Sequence, residues 1–494
     1  MVKWVYALDI RYDGTTNWTQ PGASGGLDPL GMLAPIEGLY TSLLQGLSSV
    51  TTRLRYYPFY CWWVTQFPKR TNNSKDSHFN RHIRDGEVIF AAISIALAEE
   101  EGWITGLGGG RKVRNAVRDD ATINLDKLAP DYLINPVYFA AYRSQMVEMG
   151  LLKKGRNHAL SVPTQLGADL ANAFLNEVGI DSADRFLRVA EVGEVAPNDL
   201  ADLSSFRCAY DASQANNEEL NIIRRCLTGR EGSGSRRNTC LLILKSLEER
   251  ELISDYDLRF LWLETDPDPA STTYEEEKSW RHFQIADSIR VAMECLLSHA
   301  TYRLSEAKEP LAVAQLAENL VADLPDDQSL EDYFIVLADT DQDGRSLQEK
   351  AIRSLEDDIE APLALIAHLW FHYSDNLPGM AANIPQRGAF LTPAPLMERI
   401  DEIRTLPARM ALEDFILKFV LRRHLDVASR KLRGQGNFTF QFEYEDGALS
   451  PQNRGQVGPA SPRTKTLLTF LQEVGLISDA GITELGRQEL IANQ

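Results

Sequence analysis

The chain has 494 residues and a formal net charge of −19, from 51 Lys and Arg against 70 Asp and Glu. That length exceeds what one hydrophobic core serves, so two or three domains are expected. The acidity excludes a protein wrapped in nucleic acid over its whole surface. A local basic patch stays possible, because screening confines the reach of distant acids to roughly 10 Å at about 0.1 M salt.

Five cysteines (Cys61, Cys208, Cys226, Cys240 and Cys295) form no CxxC pair. That excludes a zinc ribbon or a thioredoxin-type motif and suggests free thiols in a reducing compartment. Asp9 and Arg11 interrupt the place where a signal peptide needs an apolar core. The longest apolar run, Val88 to Ala98, falls short of the ~20 residues of a membrane helix. A cytoplasmic protein with no membrane partner is expected.

In chain order, Val2, Trp4, Tyr6, Leu8 and Ile10 alternate as in a half-buried strand. Leu39, Leu43 and Leu47 then recur at helical spacing. The densest aromatic run, "TTRLRYYPFYCWWVTQF", predicts a helix starting near Pro58, since proline suits a first helical turn. On that helix Phe59, Trp63 and Phe67 share a face, the pattern of core packing. Arg53 and Arg55 alternate ahead of it and are candidates for phosphate or carboxylate contact. "GLGGGRKVRN" reads as a glycine-rich basic loop, with Arg111, Lys112 and Arg114 beside backbone amides able to approach an anion. It lacks the Gly-Lys-Ser/Thr ending of a P-loop.

From Pro136 to Met149 a helix is expected to end at Gly150, followed by a hairpin and a second helix capped by Thr164. Helix, hairpin, helix is a winged-helix-like order. The motif returns at the C-terminus: Glu148, Gly150, Leu151, Thr164, Leu166 and Gly167 correspond to Glu473, Gly475, Leu476, Thr483, Leu485 and Gly486. The first hairpin, "KKGRNH", carries Lys153, Lys154 and Arg156, and basic wing tips contact nucleic-acid backbone. Arg143 and Gln145 are the only polar readers on the preceding helix, so base recognition is expected to be weak. The second hairpin has no basic residue and suits protein docking. A third joint, "CLLILKSLEERELISDYDLRFLWL", lacks the Thr-x-Leu-Gly tail.

Residues 210 to 440 read as successive helices. Asp339, Asp341, Asp343 and Gly344 match the first half of a calcium loop, but Lys350 stands where the closing Glu belongs, which favours a turn capping the next helix. His368 and His372 lie one turn apart without the Glu of a zinc-protease motif. No nucleophile elbow, nucleotide loop or nuclease pattern is evident, and no cofactor is expected. The segment from 445 to 463, rich in Pro and Gly, reads as a linker.

The stretch Gly26–Trp62, "GLDPLG…TTRLRYYPFYCW", resembles proteins encoded in multi-gene phage- or plasmid-defence cassettes of bacteria and archaea. The resemblance implies a non-catalytic subunit working beside an ATPase or nuclease. In architecture the chain is also similar to the kleisin subunits of bacterial condensins, although about 130 residues precede its first module. The expected protein is therefore mainly α and multi-domain, with winged-helix-like modules near 130–180 and 464–494. The expected domains are 1–180, 181–444 and 464–494, with the linker between the last two. The expected function is a DNA-binding adaptor in a defence complex with subunits of its own operon. A kleisin-like bridge and an unrecognised nuclease are the alternatives.

Overall fold

The computed structural model describes residues 28–70, 75–98, 107, 110–118, 122–128, 136–154, 160–208, 210, 218–229, 234–248, 250–307, 309–338, 342–356, 358–385, 388–435, 438–452 and 455–493. The strand expected at 2–10 lies outside them. Helices dominate, and no described strand exceeds four residues. No described helix is long and apolar enough to cross a membrane.

The chain forms two units whose boundaries differ from those expected. One, the hairpin unit, comprises Ile36–Ile285 with Ala460–Gln494; the other, the acidic unit, comprises Ala286–Pro459 with the described residues up to Pro35. The cut expected at 180 falls between helices Gln165–Val178 and Ile180–Val192, which pack on each other, and the one at 444 falls inside strand Phe442–Glu445; the C-terminal helix–hairpin–helix is part of the packing of the hairpin unit.

The core of the hairpin unit is built on the aromatic helix Tyr56–Arg70. Tyr56, Tyr57, Phe59, Tyr60, Trp62, Trp63 and Phe67 are all buried. Phe59 stacks on Phe90 at 4.2 Å, and Trp63 stacks on His82 at 4.0 Å. The Trp63 indole N–H donates to His82 O at 2.8 Å, which satisfies its polar edge inside the core. Helices Asp76–Ala96 and Gln165–Val178 pack on this aromatic helix. Burying each such ring stabilises the unit by roughly 1.5–3 kcal/mol, so these rings form a core, not a stacking surface for bases.

The two helix–hairpin–helix segments share their construction down to single bonds. In the first, Gly150 takes φ +76, closing the helix that precedes it. Thr164 Oγ1 donates to Gly150 O at 2.6 Å and accepts from Gly167 N at 3.1 Å. In the second, Gly475 takes φ +77, while Thr483 Oγ1 donates to Gly475 O at 2.7 Å and accepts from Gly486 N at 3.1 Å. One hydroxyl thus ties the end of one helix to the start of the next. The glycine one turn later lets the helix touch the preceding carbonyl: a Cβ on Gly167 would lie 2.0 Å from Leu151 O, and one on Gly486 2.2 Å from Leu476 O.

The equivalent glutamates also act alike. Glu148 accepts from Gly46 N at 2.7 Å, and Glu473 accepts from the backbone of Leu54. Both therefore hold the connection that leads into the aromatic helix. Arg236 and Arg463 donate to Gln45 O and Leu47 O in the same connection. The C-terminal segment is further fixed by Arg224, whose Nε donates to Val474 O at 2.8 Å, and by the Thr228 hydroxyl donating to Glu489 at 2.6 Å.

The third joint, helices Gly234–Ser246 and Asp255–Glu264, packs against the C-terminal helices and its turn touches the second hairpin. Leu252 N donates to Asp479 O at 3.2 Å, and Arg250 O would stand 2.1 Å from a Cβ on Gly481. All five cysteines are free and buried.

In the acidic unit, Arg290 is buried between Asp287 (2.8 Å) and Glu294 (2.7 Å) and donates to Gly458 O at 2.7 Å. Helix Arg422–Gln435 grips the "DPLG" segment: Arg423 Nε donates to Leu30 O and Lys431 Nζ to Asp28 O, both at 2.7 Å. The segment expected as a linker contains a hairpin instead. Phe442–Glu445 pairs with Ala448–Pro451 through a tight turn at Asp446 and Gly447, whose φ values are 50 and 86. Leu311–Ala312 extends it to three strands. Asp339 and Asp341 lie outside the described residues; Asp343 accepts from Ser346 N at 2.7 Å and caps helix Gly344–Arg353.

Two outcomes follow for stability. Gly486→Ala is expected to lower the unfolding free energy by about 1–3 kcal/mol through the clash with Leu476 O. Gly38→Ala, on an open helical face, is expected to be neutral or to stabilise by up to about 1 kcal/mol. Equal urea midpoints for the two variants would refute the close-approach account. Burial pushes the carboxyls of Glu87 and Glu473 up to about 7 from an ordinary 4.5, against the hydrogen bonds that oppose the shift. Both are acids raised in the folded state, so the stability they contribute is complete below the unfolded value and is lost as pH rises through about 7. Glu473→Gln keeps an acceptor for Leu54 and should flatten that loss by on the order of 2–3 kcal/mol. Parallel stability–pH curves for variant and wild type, read by tryptophan fluorescence, would contradict it.

Candidate nucleic-acid interface

The candidate site is the first hairpin, Leu152–Lys154 paired with Ser161–Pro163. Leu152 is buried and roots the hairpin, whereas Lys153 and Lys154 are exposed. Successive strand residues point to opposite faces, so the two ammonium groups flank the hairpin. Lys153 pairs across the strands with Val162, itself 43% exposed, and Lys154 with Ser161, which is buried. Arg156 at the tip lies outside the described residues.

Arg143 braces this hairpin. Its Nε donates to Ser161 Oγ at 3.0 Å, so the guanidinium is engaged with the root of the hairpin. Gln145 is buried. Neither residue expected to read bases therefore stands free on the helix, and the exposed ammonium groups of Lys153 and Lys154 are suited in charge to an anion.

The arginines ahead of the aromatic helix belong elsewhere. Arg55 is 5% exposed, with its Nη1 donating to Arg207 O at 2.9 Å and its Nε 3.5 Å from Glu219. Its guanidinium also lies over the rings of Phe174 and Tyr210. A guanidinium so enclosed cannot reach phosphate, so the nucleic-acid expectation for Arg55 is corrected; the carboxylate contact is made, to Glu219, as an internal ion pair whose loss would strand that acid. Arg53 is half-buried, and its charge lowers the pKa of Glu473 against the larger effect of burial.

The basic loop is also revised. Gly110–Arg118 is helical, so Arg111, Lys112 and Arg114 lie on a helix and not beside open loop amides. Arg, Lys, Val and Ala outweigh the single glycine at its start. Arg114 is half-buried, and the side chains of Arg111 and Lys112 lie outside the described residues. The structure thus leaves Lys153 and Lys154 as the described exposed members of the expected set and does not bring Arg53 or Arg55 to them.

Among the described residues no group of three or more His, Cys, Asp or Glu side chains is arranged to hold a metal ion. His368 and His372 stand with ring centroids 4.5 Å apart, and burial, then the neighbouring ring, pushes His368 down to about 4. Comparison with protein-family models, curated proteins and solved structures finds no match to this chain.

Proposed function

We propose that the chain is a DNA-binding adaptor that grips the phosphate backbone through its first hairpin and serves a partner ATPase or nuclease of the same defence cassette. The observation that carries this reading is the contrast between two hairpins of one construction. The first exposes two adjacent lysines on a braced root; the second carries no basic residue, and its second strand is packed against the turn of the third joint. In this reading the first segment is winged-helix-like and its hairpin is the wing. Binding is insensitive to sequence, because Arg143 is spent on Ser161 and Gln145 is buried. The defence setting rests on the resemblance of Gly26–Trp62.

A kleisin-like bridge needs a C-terminal module able to dock on its own. The bonds from Arg224 and Thr228 into the C-terminal segment, and from Arg463 of that segment to Leu47, weigh against that independence. A nuclease remains an outcome of the test below.

Lys153→Glu/Lys154→Glu should weaken binding to mixed-sequence duplex DNA and reduce the slope of log affinity against log salt by about two, one for each lost phosphate contact. Fluorescence anisotropy across about 50–200 mM salt measures this. Failure of the wild type to bind, or an unchanged affinity and slope in the variant, would overturn the proposal. Cleavage of the DNA by the purified chain with magnesium would replace it with the nuclease.

A further inference from the structure

The acidic unit presents a surface that the proposal above does not use. From Glu309 to Ile416, the stretch that includes the helices described next, the sequence holds 21 acidic and 7 basic residues. Exposed apolar side chains gather in the same part. Among the described residues, Val336 is 64% exposed, Met410 51%, Phe371 47%, Ile335 43% and Leu406 37%. They fall on helices Leu330–Ala338, Glu360–Tyr373 and Ala408–Ile416, or on the turn into the last.

These helices are packed together, with Leu330–Ala338 against both of the others. Leu330 N donates to Leu406 O at 2.9 Å, and Ala408 N to Gln328 O at 3.0 Å, fixing the turn. Beneath them Phe334 meets Trp370 at 6.1 Å, the Tyr333 hydroxyl donates to Glu360 at 2.8 Å, and the Trp370 indole donates to Asp401 at 2.8 Å. The helices that carry the exposed apolar side chains therefore share a packed layer beneath them. The nearby bases are already engaged: Arg404 pairs with Glu331 at 3.5 Å, and Arg409 with Asp326 at 3.0 Å.

We propose that this face docks a cationic amphipathic helix of a partner protein, its apolar stripe meeting Val336, Phe371 and Met410 and its Lys and Arg flanks meeting the surrounding carboxylates. Apolar side chains held in a charged rim mark an interaction surface, and helices are read through anchors at one face. The sign of the charge selects the occupant. Nucleic acid and anionic lipid are repelled, and a second copy would oppose like charges. The inference is independent of the nucleic-acid reading, since it uses only the acidic unit and its test contains no nucleic acid.

The test titrates the full-length protein against a labelled amphipathic peptide of about 18 residues built from Lys and Leu at helical spacing. A scrambled peptide of the same composition and a Glu/Leu peptide of the same pattern are the controls. The patterned cationic peptide should bind at least about tenfold tighter than either control, and Val336→Ser/Phe371→Ser/Met410→Ser should remove that preference. Val336→Ser alone, at the most exposed of the positions, should shift affinity in the same direction and guards against a misfolded triple variant. Lys153→Glu/Lys154→Glu should leave peptide binding unchanged. Equal binding of either control, or full affinity in the serine variants, would overturn the proposal. So would sedimentation showing a wild-type dimer that the serine variants dissociate, because a second copy would then be the occupant.

Discussion

The hairpin unit depends on satisfying the backbone of the connection that enters the aromatic helix. Its peptide groups lie beside a core of Tyr, Phe and Trp, where an unpaired N–H or C=O costs about as much as a lost hydrogen bond. Gly46 N is taken by Glu148 and the Leu54 backbone by Glu473, while Gln45 O and Leu47 O are taken by Arg236 and Arg463. The Tyr142 hydroxyl donates to Arg53 O. Partners therefore come from both helix–hairpin–helix segments and from the third joint. The first helix–hairpin–helix is anchored to this short connection through Glu148.

Repetition of a motif can reflect nothing more than common capping preferences. Here the repeated residues make the same bonds. The threonines join helix end to helix start, the glycines admit a carbonyl, and the glutamates reach two points, Gly46 and Leu54, of one connection. The two copies have nevertheless diverged on their outer faces. One hairpin carries lysines to solvent, and the other carries no basic residue and is held by neighbouring chain at Asp479 and Gly481. A structural role shared by both and an outward role kept by one is the simplest account of that difference.

Much of this was legible in the sequence. The Glu, Gly-Leu and Thr-x-Leu-Gly order located both hairpins, and the spacing of Phe59, Trp63 and Phe67 identified a buried face. Other features were hidden for definable reasons. Arg55 reads as a surface charge because its partner, Glu219, is remote in sequence and only the fold joins them. Gln145 could not be told from an outward-facing reader without knowing which side of a short helix meets the core. The hairpin at Asp446–Gly447 did leave a signal, since Asp-Gly between alternating residues is a strong turn indicator. Proline and glycine on either side gave the same stretch the composition of a linker. That the last 35 residues complete the hairpin unit has no local signature at all.

Discontinuity has a consequence for how the molecule is made. The hydrogen bond from Arg463 to Leu47 joins positions 416 residues apart. At synthesis rates of roughly 5–20 residues per second, the connection emerges some 20–80 seconds before its last partners. During that interval the acidic unit can mature on the ribosome while the aromatic core of its neighbour waits incomplete. Premature termination soon after Pro459 would then release a chain with one half complete and the other lacking Arg463 and Glu473, its hydrophobic core left open to chaperones and proteases.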